Sequence, residues 1–151
     1  MEIIQNADDN QYDEKIQPSL TIAVYPSAIW MYNNEKGFTK DNIESLCRVG
    51  KSTKSVGHGY TGEKGIGFKS VFKIAKKVHV RSHPYYFELD KDRELGMITP
   101  QWDRDYFGGT SNFQTTIVLE RPTSELCNFS LILENDLAEI HPVVILFLRR
   151  L

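Results

Sequence analysis

Three polar residues at the start of the chain have the spacing of one helical stripe. Glu2, Asn6 and Asp9 are at positions i, i+4 and i+7, so a helix would place them on one face. A carboxylate there can take a proton from water. An amide oxygen one turn away is a hard ligand that suits Mg²⁺, an ion that proteins often bind together with nucleotide phosphates. The stripe therefore indicates a nucleotide site, and the alternative is a solvated polar face.

A second segment, in the middle of the chain, has the glycines of a phosphate-binding loop. Gly62, Gly65 and Gly67 precede a predicted helix. Glycine lets backbone N–H groups approach an anion closely, and the positive end of the helix dipole favours negative charge at the same place. Because no strand precedes this segment, the dinucleotide-binding fingerprint of a Rossmann unit does not fit. An ordinary glycine turn before a helix is the alternative.

Basic residues are concentrated around this glycine segment. Positions 48–77 hold eight basic residues and a single acid, Glu63, although the whole chain has a formal net charge of −2. A local positive field suits a polyphosphate, while the overall charge argues against nucleic acid as the main partner. The string Gly50-Lys51-Ser52-Thr53 resembles the end of a P-loop, but position 45 is serine where that motif needs glycine. Lys51 is still a candidate phosphate contact.

The elements that would hold these residues are short and joined mostly by turns. We predict helices over 2–10, 39–49 and 67–76, strands at 21–25, 29–33, 78–82, 85–90 and 115–120, loops over 50–62 and 91–112, and a helical tail from residue 124. Hairpins dominate, and a regular alternation of helix and strand is absent. We therefore expect an α/β two-layer sandwich of the α+β type, with a mixed, largely antiparallel sheet and helices on one face.

Composition sets the remaining bounds. A chain of 151 residues that is 40% hydrophobic can bury one core. The two cysteines and four histidines fit no metal-binding spacing. No segment resembles a signal peptide, and the longest apolar run, 143–148, is too short to span a bilayer. We expect an intracellular protein, cytoplasmic or nuclear, with no membrane partner, and a piece of a longer chain.

The motifs resemble, in the same order, the nucleotide-binding boxes of the GHKL or Bergerat-fold ATPases, which include heat-shock chaperones, gyrase B and histidine kinases. Glu2-x-x-x-Asn6-x-x-Asp9 is similar to their N-box. The string Asn33-Asn34-Glu35-Lys36-Gly37 falls where they place an adenine-reading Asp-x-Gly-x-Gly. Gly62-x-x-Gly65-x-Gly67-Phe68 is similar to the next box, and 115–119 to the last nucleotide-contacting strand. The motifs are typical of the sacsin and NO VEIN-like branch.

The resemblance implies an ATP–Mg²⁺-binding module with assigned roles. Glu2 would activate the attacking water, Asn6 would coordinate Mg²⁺ and Asp9 would support the site. The residues implied at the adenine are Asn33, Gly37, Thr115 and Thr116, where either threonine would act through a water. Those at the phosphates are Lys51, Gly62, Gly65, Ile66, Gly67 and Phe68. Residues 50–61 would form a lid that closes on the nucleotide.

Two departures from the superfamily pattern affect the base-reading box. Asn33 stands where most members have aspartate, and Glu35 replaces the first glycine. An amide oxygen accepts a hydrogen bond from the adenine amino group but lacks the charge that strengthens it.

The resemblance also implies how the domains are arranged. Residues 1–122 would form the ATP-binding domain, lacking its N-terminal start, and 123–151 a helical extension leading to a further domain. Hydrolysis would be slow and need elements outside this chain. Partners would be other domains of the same protein or protein clients. The alternative is a catalytically inactive interaction module.

Overall fold

A computed structural model describes residues 2–47, 67–103, 114–122 and 148–151, with the side chain of Glu2 excluded. The elements in these ranges are α1 (Glu2–Asp8), β1 (Leu20–Val24), β2 (Ala28–Asn33), α2 (Lys40–Cys47), a 3₁₀ helix (Phe68–Lys73), β3 (Lys77–Ser82), β4 (Tyr85–Asp90), β5 (Gln101–Trp102) and β6 (Thr115–Glu120). Each helix in these ranges is too short or too polar to cross a lipid bilayer.

The strands form one open sheet in the order β1-β2-β6-β3-β4-β5. All five neighbouring pairs in the described ranges are antiparallel. The last strand of the described sequence, β6, lies between β2 and β3. Its first residue, Thr115, is therefore the register partner of both Asn33 and Ser82. Polar residues from three distant parts of the sequence meet at one end of the sheet.

The helices all contribute to one core on one face of this sheet. Alternate strand residues point to the same face, and Met31, Val80 and Leu119 are buried there. The members from the helical segments are Ile43, Leu46, Phe68, Val71 and Phe72. Burying one such side chain stabilises the fold by about 1.5–3 kcal/mol relative to leaving it exposed. The predicted two-layer α/β architecture with helices on one face is confirmed.

Pairs of polar side chains occupy the opposite face of the sheet. Lys77 Nζ lies 3.3 Å from a carboxylate oxygen of Asp90, and His79 Nε2 lies 3.2 Å from Glu120. The strands thus alternate between an apolar face toward the core and a polar face away from it, which is the usual pattern of an antiparallel sheet covered on one side.

Helix α2 begins with a reciprocal pair of hydrogen bonds. The backbone N–H of Thr39 donates to Asn42 Oδ1 at 2.8 Å, and the N–H of Asn42 donates to Thr39 Oγ1 at 3.3 Å. This is the arrangement of a capping box, with asparagine in place of the usual Glu or Gln. The sequence predicts this cap, because Thr39 stands at the start of the predicted helix over 39–49 with Ile43 and Leu46 on its apolar side. The cap is confirmed, and Ile43 and Leu46 are buried.

Two segments differ from the sequence prediction. The helix predicted over 67–76 is a 3₁₀ helix of six residues. Its aromatic and β-branched residues lose rotamer freedom in an α-helix, and pairing with β6 begins directly afterwards, where the N–H of Lys76 donates to the carbonyl of Glu120 at 2.8 Å. Strand β5 lies inside the predicted loop 91–112, because two residues are too few to show an alternating pattern. The predicted helical tail from 124 falls almost entirely outside the described residues.

Candidate functional site

A cavity with a volume of about 90 Å³ lies between the helices and the core face of the sheet. This volume is several times the space that one water molecule needs. The polar residues on its wall are Asn6, Asn10, Asn33, Glu35, Asn42, Ser45 and Thr115. The apolar residues are Ile3, Ala7, Leu20, Met31, Phe38, Leu46, Phe68 and Ile117. An apolar cavity with a few convergent polar groups is the usual form of a small-molecule site.

Each of the four motifs singled out in the sequence supplies at least one residue to this cavity. Asn6 comes from α1, Asn33 from the end of β2, Phe68 from the 3₁₀ helix and Thr115 from the start of β6. These residues are brought together by the position of β6 in the sheet and by the packing of the helices on one face. The structure thus joins the opening polar stripe to the segment that follows the glycine box.

Helix α1 presents a different stripe to the cavity from the one predicted. The lining positions are Ile3, Asn6, Ala7 and Asn10, which follow the i, i+3, i+4, i+7 spacing of one helical face. Asn6 belongs to both stripes. Asp9 is not among the described residues that line the cavity, and its carboxylate instead forms an ion pair with the guanidinium of Arg149. A supporting role of Asp9 near the nucleotide stays a prediction.

The preceding residue, Asp8, was not predicted to matter and is almost fully buried, with 4% of its surface exposed. Its carboxylate accepts hydrogen bonds from the backbone N–H groups of Arg149 at 2.9 Å, Arg150 at 2.7 Å and Leu151 at 3.1 Å. Burial alone raises the pKa of Asp8, but these three hydrogen bonds and the charge of Arg149 outweigh it, so the pKa is lowered. Asp8 therefore stays ionised and ties 149–151 to α1.

A tight turn connects Asn33 and Glu35, the two residues that differ from the predicted base-reading motif. The backbone N–H of Glu35 donates to Asn33 Oδ1 at 2.9 Å, and both side chains are at least 95% buried. This is a local side-chain-to-backbone bond of the kind that asparagine favours. An amide oxygen has two lone pairs, so Asn33 keeps one acceptor position besides the one that holds the turn. Glu35 was not predicted as a site residue, and its only sequence signal was its place in the box.

The two candidate threonines lie on opposite faces of the sheet. Thr115 lines the cavity, and its Oγ1 lies 2.6 Å from Ser82 Oγ. Ser82 Oγ also accepts from the N–H of Phe38 at 2.7 Å, so one hydroxyl holds β6, β3 and the loop after β2 together. Because successive strand residues alternate, Thr116 points to the opposite face, beside its register partners Tyr32 and Arg81.

Gly37 has a backbone conformation that requires glycine. Its φ is +93°, and a Cβ would lie 3.2 Å from the carbonyl oxygen of His83 and 3.4 Å from Ser82 Oγ. The loop after β2 therefore passes directly against the β3–β4 turn, which places Phe38 in the cavity wall. Contact of Gly37 with an adenine ring stays a prediction.

The segment predicted to bind phosphate is only partly described. Lys51, Gly62, Gly65 and Ile66 lie outside the described residues, as does the predicted lid. Gly67 has φ −62° and ψ −42°, which any residue adopts, and Phe68 is buried in the cavity wall. No group of three or more His, Cys, Asp or Glu side chains suitable for a metal occurs in the described ranges. Binding of Mg²⁺ by Asn6 stays a prediction.

Tyr12 links α1 to the base-reading box. Its hydroxyl donates to the carbonyl of Ala7 at 2.7 Å. Burial raises the pKa of Tyr12, a hydrogen bond with Asn33 opposes the rise, and the charges of Glu35 and Asp8 add to it. Tyr12 therefore keeps its proton and remains a hydrogen-bond donor that bridges two walls of the site.

The chain is similar to short segments of two long proteins. It is 45% identical over 101 residues to protein NO VEIN of Arabidopsis thaliana, a match that covers 66% of this chain and 4% of NO VEIN. It is 34% identical over 86 residues to sacsin of Homo sapiens, which covers 48% of this chain and 2% of sacsin. No family model matches the chain. These matches support the prediction of a sacsin and NO VEIN-like chain.

Proposed function

We propose that this chain binds ATP together with Mg²⁺ in the cavity between the sheet and the helices. The observation that carries the proposal is that Asn6, Asn33, Phe68 and Thr115, one from each predicted nucleotide-binding motif, line the same cavity. A solvated polar stripe on α1 or an isolated glycine turn would not explain why residues from four separate motifs line one cavity.

The composition of the cavity fits a purine base. Met31, Phe38 and Ile117 provide apolar walls that suit a flat ring, and Asn33 and Thr115 provide polar groups at one end of the sheet. A few polar groups in a mainly apolar site fix the orientation of a ligand. The half-buried Asn6 on α1 lies in the same wall and offers the amide oxygen for Mg²⁺.

The proposed chemistry assigns the phosphates to the glycine segment and to Lys51. Gly62, Gly65 and Gly67 would present backbone N–H groups to phosphate oxygens, and Lys51 would add a positive charge. When bound, Mg²⁺ would supply positive charge that neutralises the phosphates. Glu2 would hold a water and accept its proton. Hydrolysis would be slow, and residues 50–61 would close over the bound nucleotide.

The module would act as one part of a larger intracellular protein. The matched segments make up 4% of NO VEIN and 2% of sacsin. We therefore propose that nucleotide binding by residues 1–122 is transmitted, through 123–151, to other domains or to protein clients. A regulatory or chaperone-like role follows from this arrangement.

Calorimetric titration with Mg-ATP tests the binding proposal. We expect Asn6→Ala and Gly65→Val each to weaken binding at least about tenfold, a loss of about 1.4 kcal/mol, because one removes the metal ligand and the other fills the phosphate loop. Lys15→Ala, an exposed basic residue outside the cavity, is the control and should leave the affinity unchanged. Unchanged binding in both Asn6→Ala and Gly65→Val would contradict the proposal.

A catalytically inactive interaction module is the second candidate, and the base-reading box favours it. Asn33 is neutral where the superfamily has a charged residue, and its oxygen already accepts the N–H of Glu35. Phosphate release from Mg-ATP by a longer protein, extended at both ends of this chain, separates the two candidates, because the proposed hydrolysis needs elements outside this chain. Turnover that Glu2→Ala abolishes supports an ATPase, whereas ATP binding without turnover supports the interaction module.

A further inference from the structure

We propose that Glu35 determines the base specificity of the cavity, by accepting a hydrogen bond from the amino group of the purine. This inference rests on the proposed function, because it concerns the same cavity and the same nucleotide. In this inference the Glu35 carboxyl group binds the amino group of the base, and Asn33 positions Glu35.

The first support is the location of the Glu35 side chain. It is 96% buried and lines the cavity beside Asn33 and Thr115. A carboxylate carries only acceptors, so it binds groups that present N–H or O–H. The amino group of adenine is such a donor, and hydrogen bonds to an ionised acceptor are roughly twice as strong as neutral ones. A buried carboxylate in a mainly apolar cavity therefore favours a ligand with an N–H donor on its edge.

The second support is the turn that fixes Glu35. Its backbone N–H is held by Asn33 Oδ1 at 2.9 Å, and the N–H of Phe38, three residues later, is held by Ser82 Oγ at 2.7 Å. Both ends of the segment from 33 to 38 are thus attached to the sheet, and Gly37 allows the close approach to the β3–β4 turn. Asn33 therefore positions the glutamate.

The third support is the chemistry of the replacement itself. Placing asparagine at 33 removes a carboxylate from the base-reading box, and placing glutamate at 35 returns one to it two residues later. Since both side chains line one cavity, the site keeps one carboxyl group. A glutamate introduced at a position of no consequence would be expected at the exposed surface instead.

The test compares two triphosphates that differ only in the purine amino group. ATP and purine riboside 5′-triphosphate carry the same phosphates and bind the same Mg²⁺, so the ratio of their dissociation constants isolates the base edge. We expect the unaltered chain to prefer ATP at least about tenfold, because the analogue has no amino group to donate to the buried carboxylate. In Glu35→Gln the preference should fall to about twofold, since a neutral acceptor binds the amino group more weakly. Glu14→Gln, the same substitution at an exposed position, should keep it.

A double variant tests whether the preference for ATP depends on a carboxylate in the cavity or on the shape of the side chain at position 35. Asn33→Asp combined with Glu35→Gln moves the carboxylate two residues along the chain, and the carboxylate introduced at position 33 can still accept the N–H of residue 35. We expect the double variant to recover most of the preference for ATP. Thermal unfolding of each variant, followed by circular dichroism, shows which variants are folded for the comparison.

The outcomes separate this inference from the proposed function. If the unaltered chain binds neither triphosphate, the proposed function fails, and the inference fails with it. If it binds both equally well, or if folded Glu35→Gln keeps the tenfold preference, the role of Glu35 is overturned while ATP binding stands. If Glu35→Gln does not fold, the double variant decides through the ratio of its dissociation constants for the two triphosphates. A preference for ATP supports the inference, and equal binding of the two triphosphates overturns it.

Discussion

At the scale of single residues, the site depends on which of two adjacent side chains faces the cavity. Thr115 and Thr116 are both almost fully buried, so burial does not distinguish them. Their side chains alternate, and only Thr115 lies beside Asn33 in the cavity wall and contacts Ser82. The same distinction applies to Asp8 and Asp9, of which one is buried against the backbone of 149–151 and the other forms an ion pair.

The threonine pair makes a matched prediction for nucleotide binding. We expect Thr115→Val to weaken Mg-ATP binding about fivefold to tenfold, because it removes a cavity hydroxyl and the contact that holds Ser82. Thr116→Val, which changes the same atoms on the opposite face, should alter the affinity less than about twofold. Calorimetric titration measures both. Equal effects of the two substitutions would show that Thr115 has no special role in binding.

At the scale of elements, the loop between β2 and α2 is the part that positions the base-reading residues of the cavity. It contributes Glu35 and Phe38, and it is attached through Ser82 to β3 and through Thr39 to α2. Gly37 permits the sharp path between these attachments because its φ is +93°. A change in this loop therefore affects both stability and the shape of the cavity.

Gly37→Ala tests this role of the loop. An L-residue in left-handed backbone costs about 1–2 kcal/mol, and the added Cβ would lie 3.2 Å from the carbonyl oxygen of His83. We expect the free energy of unfolding, measured by urea titration, to fall by at least about 1 kcal/mol. Lys36→Ala, an exposed neighbour in the same loop, should change it by less than about 0.5 kcal/mol. If the Gly37→Ala protein were as stable as the original, position 37 would not require glycine.

The same elements show how far the sequence could be interpreted. The alternating pattern of β3, β4 and β6 and the cap at Thr39 predicted their positions to within about two residues, which is the usual error at element ends. The pattern did not separate a 3₁₀ helix from an α-helix over 67–76, because burial of Phe68, Val71 and Phe72 is compatible with both periods. Strand β5 is defined by its pairing with β4, which is not a local property.

At the scale of the whole molecule, Asp8 connects two segments that are far apart in the sequence. It accepts three backbone N–H groups from 149–151 while the nearby Asn6 lines the cavity. The orientation of α1, and with it of Asn6, therefore depends partly on a contact near the other end of the chain. This contact is electrostatic, so it responds to pH.

Asp8→Asn should destabilise the protein in a pH-dependent way. Hydrogen bonds to a charged acceptor contribute about 1.5–3 kcal/mol, so we expect a loss of this order in the free energy of unfolding at pH 7. Because the pKa of Asp8 is lowered below its ordinary value of 3.8 in the folded protein, this stabilisation is complete above pH 3.8. It is lost as the pH falls through the folded pKa.

The measurement is urea unfolding of both proteins between pH 7 and pH 3. The stability difference between the original chain and Asp8→Asn should be constant near neutral pH and shrink below pH 3.8. Asp13→Asn, a surface carboxylate whose pair with Lys36 is exposed, should cost less than about 1 kcal/mol. If the difference in the free energy of unfolding stayed constant down to pH 3, the lowered pKa assigned to Asp8 would be contradicted.

The sequence by itself determined the layers of this protein and the identity of several key residues in its cavity. Periodicity, caps and turn residues are local properties, so the strands, the helices and the polar stripe that contains Asn6 could be predicted from neighbouring residues alone. Asn33, Phe68 and the threonine pair were predicted from the resemblance of their motifs to a known superfamily.

The tertiary structure decided which residues face the cavity and which distant residues they contact. Strand β6 enters between β2 and β3, which places Thr115 beside Asn33 and Ser82. The same chain path buries Glu35 in the cavity and gives Asp8 its partners. The contacts of Thr115 and Asp8 join residues that are distant in sequence, and no local pattern encodes such contacts. Those of Thr115 are set by how the sheet orders its strands.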